Sequence, residues 1–545
     1  MKHWWKIALS YVGCIIIAAG AYFLVTGMMD SIFNFRSPLH AAPPQAGPAV
    51  SQPVSRQVVV VLIDGLRLDT SLDESVMPTL ASLRKVGASA VMHSRAPSYS
   101  APSYSVIFTG AWQDLSDGPA FNLEYADIPV WTQDNLFSAV SRAGGTSAIS
   151  AYNWFEKLVP QDTLSASYYT PGEDNAADRA VVDAALPWIA AGNTQFILVH
   201  IDQVDYAGHH EGGARSENWQ AAAKRSDDLL AEIVEKMDLS QDTLLVISDH
   251  GHILMGGHGG GDPDVLLQPF VLAGKGVMPG EYADLQMVDI APTLSLLLGT
   301  NIPASSQGQP RIDLLELPDE VKTQLDSQVV SQQTQLVKAY AAAIQAPVPT
   351  LPDQGDVSDF QAILTNLQSQ RLLVERLPRI GIALLLSIAG LWLLIRFQKR
   401  EIWWLMLGAG ITAISFLVKY TLIDGYPFSF SAIPGVTEFV VYIGKATLLG
   451  IVLAWAGLAL LRGWFRKPPK EAAARSLWLT FASLWLISLP VLVGFGWNGL
   501  IATWILPEMT LALLSLLYLV QALFIAGSGV IFSLLAAGIS ALRKR

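Results

Sequence analysis

Two kinds of apolar pattern alternate along this chain and divide it into parts. Residues 7–28 form an uncharged run behind Lys2 and Lys6, long enough for a hydrocarbon core that requires about 20 residues. That length predicts an uncleaved anchor, since the apolar core of a cleaved signal segment is shorter. Five more long runs lie at about 380–395, 402–418, 439–461, 477–493 and 509–541. Between the first run and these, the apolar stretches are short: VVVVLI at 58–63, TSAIS at 146–150, FILVHI at 196–201 and TLLVIS at 243–248. They are too short for helices and too apolar for half-exposed strands. They predict buried strands of a parallel sheet, with helical segments between them, hence an α/β domain.

The boundaries follow from the same pattern. Residues 1–36 read as an N-terminal membrane anchor. Residues 37–56, rich in Pro, Ala and Ser without periodicity, read as an extended linker. The folded domain is expected over 57–315. Residues 316–378 are polar and helical in pattern, broken by APVPTLPDQG, and predict a stalk or cap. A C-terminal membrane region of about five spans fills 379–545, with Gly527 and Gly529 expected to kink its last helix.

Charge sharpens this division. A chain of 545 residues with 51% hydrophobic and 15% charged residues is too apolar to be wholly soluble. Basic clusters occur at Arg396, Lys399 and Arg400, at Arg462, Arg466, Lys467, Lys470 and Arg475, and at Arg543, Lys544 and Arg545. The alternate connections are nearly free of Lys and Arg, so six spans with both termini cytoplasmic satisfy the positive-inside rule. The domain after the first span is then extracytoplasmic. Residues 37–375 carry 17 basic and 40 acidic side chains, a balance that argues against nucleic acid as a partner. Cys14 is the only cysteine, which rules out intrachain disulfides, cysteine nucleophiles and cysteine-based zinc sites. Lys445 falls inside the fourth run. A charge there can mark a transport path, but near the span's outer end it is expected to snorkel to the headgroups.

Three of the four short runs end in polar residues: Asp64; then Asp202, Asp205 and His209; then Asp249 and His250. In open α/β sheets, ligands bind beyond the carboxyl ends of the strands. Six of the nine histidines fall in 200–210 and 250–258, among glycines that let backbone bend tightly. One such Asp or His reads as a cap or turn residue; the repetition asks for another reading. Asp64, Asp205, His209, Asp249, His250 and His258 supply two three-ligand sets, which suits a pair of divalent cations. Imidazole and carboxylate donors point to zinc, with manganese as the alternative. The segment APSYSAPSYSVIFTG at 96–110 offers a serine nucleophile. By itself it reads as a Ser/Pro turn before a helix, but metal coordination activates a hydroxyl. Tyr152 and Trp154 follow a predicted strand and are candidates for the substrate pocket or for packing.

VLIDGLR at 61–67, PSYSAPS and FTG between 97 and 110, DYAGH at 205–209, SDHG and GGHGG between 248 and 260, and VDIAPTL at 288–294 stand in a recognisable order. Together, over about 57–310, they resemble the type I phosphodiesterase/nucleotide pyrophosphatase branch of the alkaline phosphatase superfamily. The resemblance implies a mostly parallel sheet flanked by helices and a metal-dependent phosphodiesterase or phosphotransferase. It implies one metal held by Asp64, Asp249, His250 and Ser100, and a second by Asp205, His209 and His258. Ser100 then stands at the nucleophile position, where many relatives have Thr, and a phosphoserine passes to water or to another hydroxyl. Ser103 is implied to touch the substrate phosphate. The order of anchor, domain and spans resembles the ethanolamine phosphate transferases of GPI-anchor synthesis, which have more spans, and implies a membrane lipid or lipid-linked headgroup as the phosphate ester. Residues 100–103 also resemble the start of a sulfatase motif, but Tyr104 stands where that motif needs Arg. A transporter with an inactive external domain is the non-enzymatic alternative.

Overall fold

A computed structural model describes residues 4–433 and 435–543. Lys2, Lys544, Arg545 and the Lys6 side chain, all used in the charge argument, lie outside the described residues. Among the described residues one sheet contains β1 (Val58–Ile63), β2 (Ala88–His93), β3 (Ser147–Tyr152), β4 (Ala166–Thr170), β5 (Phe196–Ile201), β6 (Thr243–Ile247), β7 (Leu267–Gly274), β8 (Gly280–Glu281) and β9 (Leu285–Gln286). Their order is β4-β3-β5-β1-β6-β7-β2-β8, with β9 also on β2. The five strands from β4 to β6 run parallel, whereas β7 is antiparallel to both β6 and β2.

The unbroken apolarity of β1 has a direct cause. Val58, Val60 and Leu62 enter one core, and Val59, Val61 and Ile63 enter the core on the opposite face. Helices Ser100–Thr109, Leu136–Arg142 and Ile290–Leu298 cover the first face; Pro78–Val86, Asn175–Ala191 and Glu217–Glu235 cover the second. Each fully buried Val, Leu or Ile contributes roughly 1.5–3 kcal/mol, so β1 is stabilised through both of its faces. Strands β2, β4 and β7 escape the short-run rule because β2 and β4 are half-exposed and β7 carries Gln268 and Pro269.

Residues 37–56 form no helix or strand, but they are docked rather than free. Leu39 is fully buried, and the N–H groups of Val50 and Val54 donate to the carbonyls of Thr300 and Leu297 at 2.9 Å. Buried Asp117 accepts from Arg36 Nε at 3.0 Å and from the Ser37 N–H at 2.9 Å, and lies 2.8 Å from His40 Nδ1. The chain leaving the first span is therefore strapped onto the domain, a departure from the extended linker.

Among the described residues six helices are long and apolar enough to cross a membrane: Ile7–Phe33, Val357–Gln398, Ile402–Ile423, Val436–Leu461, Pro469–Asn498 and Met509–Leu542. This is a multi-pass membrane protein. The stalk has no break at 378, because the 42-residue helix Val357–Gln398 runs through Pro378 into the second span. Its N-terminal part packs Phe360, Leu364 and Leu367 against Leu336, Val337 and Tyr340 of helix Asp319–Ala343. The last span is one continuous helix through Gly527 and Gly529; a Cβ at Gly529 would strike Thr480, so that glycine permits close approach to Pro469–Asn498. Lys445 is exposed on its helix.

The connections sort to two ends. Glu401 pairs with Arg462 at 3.1 Å and Arg475 at 3.4 Å, which gathers two basic clusters at one end. At the other end the connections meet the domain: Ser431 Oγ accepts from the Gly260 N–H at 3.0 Å, and Trp504 joins the stalk core.

Candidate metal centre

β5, β1 and β6 are neighbours, so the residues that follow them converge. Asp64 follows β1 directly, and Asp249 and His250 follow β6 after Ser248. His250 Nε2 lies 3.3 Å from both Asp64 Oδ1 and Asp249 Oδ2. Ser100 is the first residue of helix Ser100–Thr109, and its Oγ lies 3.1 Å from the same His250 nitrogen. Asn122 holds this helix start: its Oδ1 accepts from the Ala101 N–H at 3.0 Å, and its Nδ2 lies 3.5 Å from Ser100 Oγ. A helix N-terminus favours negative charge nearby.

The second set comes from helix Gln203–His210 and the loop after β6. Asp205 and His209 are four residues apart and share a helix face, with His209 Nε2 3.5 Å from Asp205 Oδ2. His258 Nε2 lies 2.9 Å from His209 Nε2 and 3.6 Å from Asp205 Oδ1. On its far side His258 Nδ1 lies 3.2 Å from the Ser98 carbonyl, an arrangement that leaves Nε2 facing the site. The structure thus brings all seven residues expected to hold metal into one place.

A supporting layer surrounds them. Tyr104 donates its hydroxyl proton to Asp64 Oδ2, and His200 Nε2 lies 2.9 Å from the same oxygen. His252 Nε2 lies 2.6 Å from Asp205 Oδ1, while His252 Nδ1 accepts from the Gly257 N–H at 2.9 Å. An Nδ1 that accepts requires the ring proton on Nε2. His252 therefore orients Asp205 in this arrangement, although it also belongs to a group of residues close enough to hold a metal.

Electrostatics explain why the cluster suits a cation. Burial pushes the Asp249 carboxyl well above the usual carboxylate range, and the charges of Asp64 and Asp205 push it further. Asp202 is raised in the same way, by burial and then by Asp64. Burial also opposes charge on Asp205, but His209, His252 and His258 outweigh it and hold that carboxyl well below the usual range. Burial drives His258 well below its ordinary value and His252 down to about 4. Asp64 Oδ1 and Asp249 Oδ2 are buried and without a hydrogen-bond partner. Buried carboxylate oxygens without a hydrogen-bond partner, set beside imidazole nitrogens, are the donors a divalent metal requires, and the clustered groups fit one.

The remaining candidates are placed differently. Ser103 lies three residues beyond Ser100 in the same helix, buried, with its Oγ lacking a hydrogen-bond partner. The rings of Tyr152 and Trp154 meet edge to face at 5.2 Å, and Trp154 packs on the sheet core. None of these three lines the cavity at the site. Conversely, sequence reasoning missed the roles of Asn122, Tyr104, His200 and His252. The two histidines were visible in the cluster, but only the fold separates ligand from support.

A cavity of about 1290 Å³ opens from the site. It is lined by Asn122, His209 and His258 and by Val25 and Met29 of the first span, Phe439 and Val440 of the fourth, and Leu516 and Val520 of the sixth.

Residues 58–260 match the family described as Type I phosphodiesterase / nucleotide pyrophosphatase. The match bears out the expected resemblance and stops short of the VDIAPTL segment. The chain is 28% identical over 333 residues to the GPI ethanolamine phosphate transferase 1 of Mus musculus, covering 51% of this chain and 35% of that protein. It is 25% identical over 348 residues to the human GPI ethanolamine phosphate transferase 3, catalytic subunit, covering 57% of this chain and 31% of the relative. The chain thus spans about a third of the length of these curated relatives. Among solved structures, human ectonucleotide pyrophosphatase / phosphodiesterase 5 aligns with a TM-score of 0.38 and 14% identity, over 45% of this chain and 95% of that one.

Proposed function

We propose that this chain is a metal-dependent phosphotransferase that moves a phosphate-ester headgroup from or to a lipid at the outer membrane surface. The observation that carries the reading is the cavity, which joins His209 and His258 to apolar walls supplied by three membrane spans. A soluble phosphodiester needs no such wall; a lipid-linked one does. The relatives named GPI ethanolamine phosphate transferases favour transfer to a hydroxyl over release to water.

Asp64, Asp249, His250 and Ser100 would hold one divalent cation and Asp205, His209 and His258 a second, zinc by donor chemistry and manganese next. Such cations supply positive charge that lowers the pKa of a bound hydroxyl and neutralises phosphate oxygens. The protein's own contribution begins with Ser100. Its Oγ, fixed at a helix start by Asn122, attacks phosphorus as its proton departs, and the leaving alkoxide takes up a proton. The resulting phosphoserine lies at the helix start, where the helix dipole favours its charge. An acceptor hydroxyl entering from the cavity then attacks the same phosphorus and frees Ser100. Tyr104 and His200 keep Asp64 oriented through the cycle, as His252 keeps Asp205.

Glu401 pairs with Arg462 and Arg475, and this grouping of basic connections supports, by the positive-inside rule, cytoplasmic termini with the site outside the cytoplasm. The sulfatase alternative is weakened because Tyr104 is committed to Asp64 in the core. The transporter alternative draws nothing from Lys445, which faces outward from its helix.

The test uses purified protein in nanodiscs, supplied with zinc or manganese, a phosphoethanolamine-bearing lipid and a lipid-linked glycan acceptor. Metal-dependent headgroup transfer, with phosphate trapped on Ser100 by mass spectrometry, is the expected result. Release of headgroup to water alone makes the protein a hydrolase. Absence of both metal binding and a phosphorylated Ser100 overturns the reading.

A further inference from the structure

His258 sits at the head of a loop that glycine makes loose: Gly256, Gly257, His258, Gly259, Gly260, Gly261. Glycine loses more conformational freedom on ordering than any other residue, so a ligand in such a run needs outside support. The domain supplies one support. Ser98 donates its hydroxyl proton to the Gly260 carbonyl at 2.8 Å, and its own carbonyl faces His258 Nδ1.

The second support comes from the connection between the third and fourth spans. Ser429 and Ser431 both donate hydroxyl protons to Asp262 Oδ2, at 2.5 and 2.6 Å. Ser431 Oγ accepts in return from the Gly260 N–H at 3.0 Å. Ser429 and Ser431 are buried, and Phe430 between them meets Phe121 edge to face at 5.6 Å. Asp262 stands at the N-cap of helix Pro263–Leu266 yet makes no side-chain cap bond there. Its carboxylate is turned to the membrane-side serines instead. The fit is close: a Cβ at Gly257 would strike the Ser431 carbonyl, and one at Gly260 would strike Ser429 Oγ.

We propose that Ser429, Ser431 and Asp262 are positioning residues through which the membrane region holds the His258 loop in its metal-binding geometry. The membrane spans are then part of the metal site and not only an anchor and a lipid wall. The proposal rests on the reading of His258 as a ligand, and it ties the second metal position to an element nearly 170 residues away in sequence.

The experiment compares the full chain in detergent with Asp262→Ala, Asp262→Asn and the Ser429→Ala/Ser431→Ala pair. Zinc stoichiometry and affinity are measured by chelator competition, with thermal unfolding and size-exclusion profiles as controls for folding. Asn keeps an oxygen that accepts from both serines, so Asp262→Asn is expected to bind both equivalents within about threefold of wild type. Asp262→Ala and the serine pair are expected to weaken one equivalent about 10- to 100-fold, the range for loss of groups that orient a ligand, and to leave the other unchanged. In a His209→Ala background, where that equivalent is already lost, they are expected to have no further effect. Wild-type affinity for both equivalents in folded Asp262→Ala and serine-pair variants would overturn the proposal while leaving the functional reading intact. A wild-type protein that binds no metal would overturn the functional reading itself. If Asp262→Ala does not fold, the serine pair decides.

Discussion

The two halves of the candidate metal centre use the same donor types but are held by different means. Asp64, Asp249 and His250 follow central strands, and their side chains are at most 1% exposed. Asp205, His209 and His258 ride on an eight-residue helix and a glycine loop, with exposures of 16, 34 and 3%. In the first half the hydrogen-bonded ladder fixes each backbone, so one layer of support, Tyr104 and His200, is enough. In the second half the backbone is free to shift, and support arrives from Ser98, His252, Ser429 and Ser431. A site at a sheet end is rigid where strands reach it and borrowed from its surroundings where they do not.

The largest expected effect removes chemistry while leaving the aspartate and histidine donors of both halves in place. Ser100→Ala is expected to lower headgroup transfer by about 10⁴-fold or more, as loss of a nucleophile does, while metal affinity falls by less than about tenfold. Turnover together with metal content by mass spectrometry checks this; residual activity near wild type would move the nucleophile elsewhere.

Next come the ligands. Asp249→Asn and His209→Ala should each lose one metal equivalent and roughly 10³-fold in activity, on the scale of losing a charge-stabilising group. They should differ in the metal-free protein. Asp249 is a buried carboxyl pushed up by burial, then by Asp64 and Asp205, so the Asn variant is expected to unfold several degrees higher than wild type when stripped of metal, with about 1 kcal/mol corresponding to 2–4 °C. His209→Ala, at a more exposed position, should leave that temperature within about 1 °C. Scanning calorimetry of chelator-treated protein separates the two.

Smaller losses are expected from the supporting layer. His252→Ala should weaken the Asp205–His209–His258 equivalent by about 10- to 100-fold, and Tyr104→Phe should weaken the other by about tenfold. Equal effects on both equivalents in either variant would argue that the halves are one coupled site.

The smallest effect is a difference in pH dependence. A carboxyl raised above its ordinary range holds a proton longer, and a metal must displace that proton, so affinity falls as pH falls. Asp249 is raised, whereas Asp205 and His258 lie well below their ordinary values and are already free of protons at neutral pH. Between pH 8 and pH 6 the Asp64–Asp249–His250 equivalent should therefore lose more affinity than the other. Zinc titrations in His209→Ala and Asp249→Asn isolate the two slopes.

Sequence by itself determined the parts whose physics is local. An apolar run long enough for lipid is a span wherever it folds, and a run apolar on every residue is a strand covered on both faces, so six spans and β1, β3, β5 and β6 were legible. The convergence of the candidate ligands was legible because Asp64, Asp249 and His250 follow strand ends, and because Asp205 and His209 share a helix face by their spacing. Only tertiary structure decided the rest. β2, β4 and β7 are half-exposed or interrupted, and no run marks them. Residues 37–56 look like a linker until Asp117 and the Thr300 and Leu297 carbonyls meet them. His252 differs from His250 only in what faces its two nitrogens, and Asn122, Ser429 and Ser431 acquire roles from partners that no spacing in the chain announces. Hydrogen bonds between distant segments leave no periodicity behind, and it is these that hold the second half of the site.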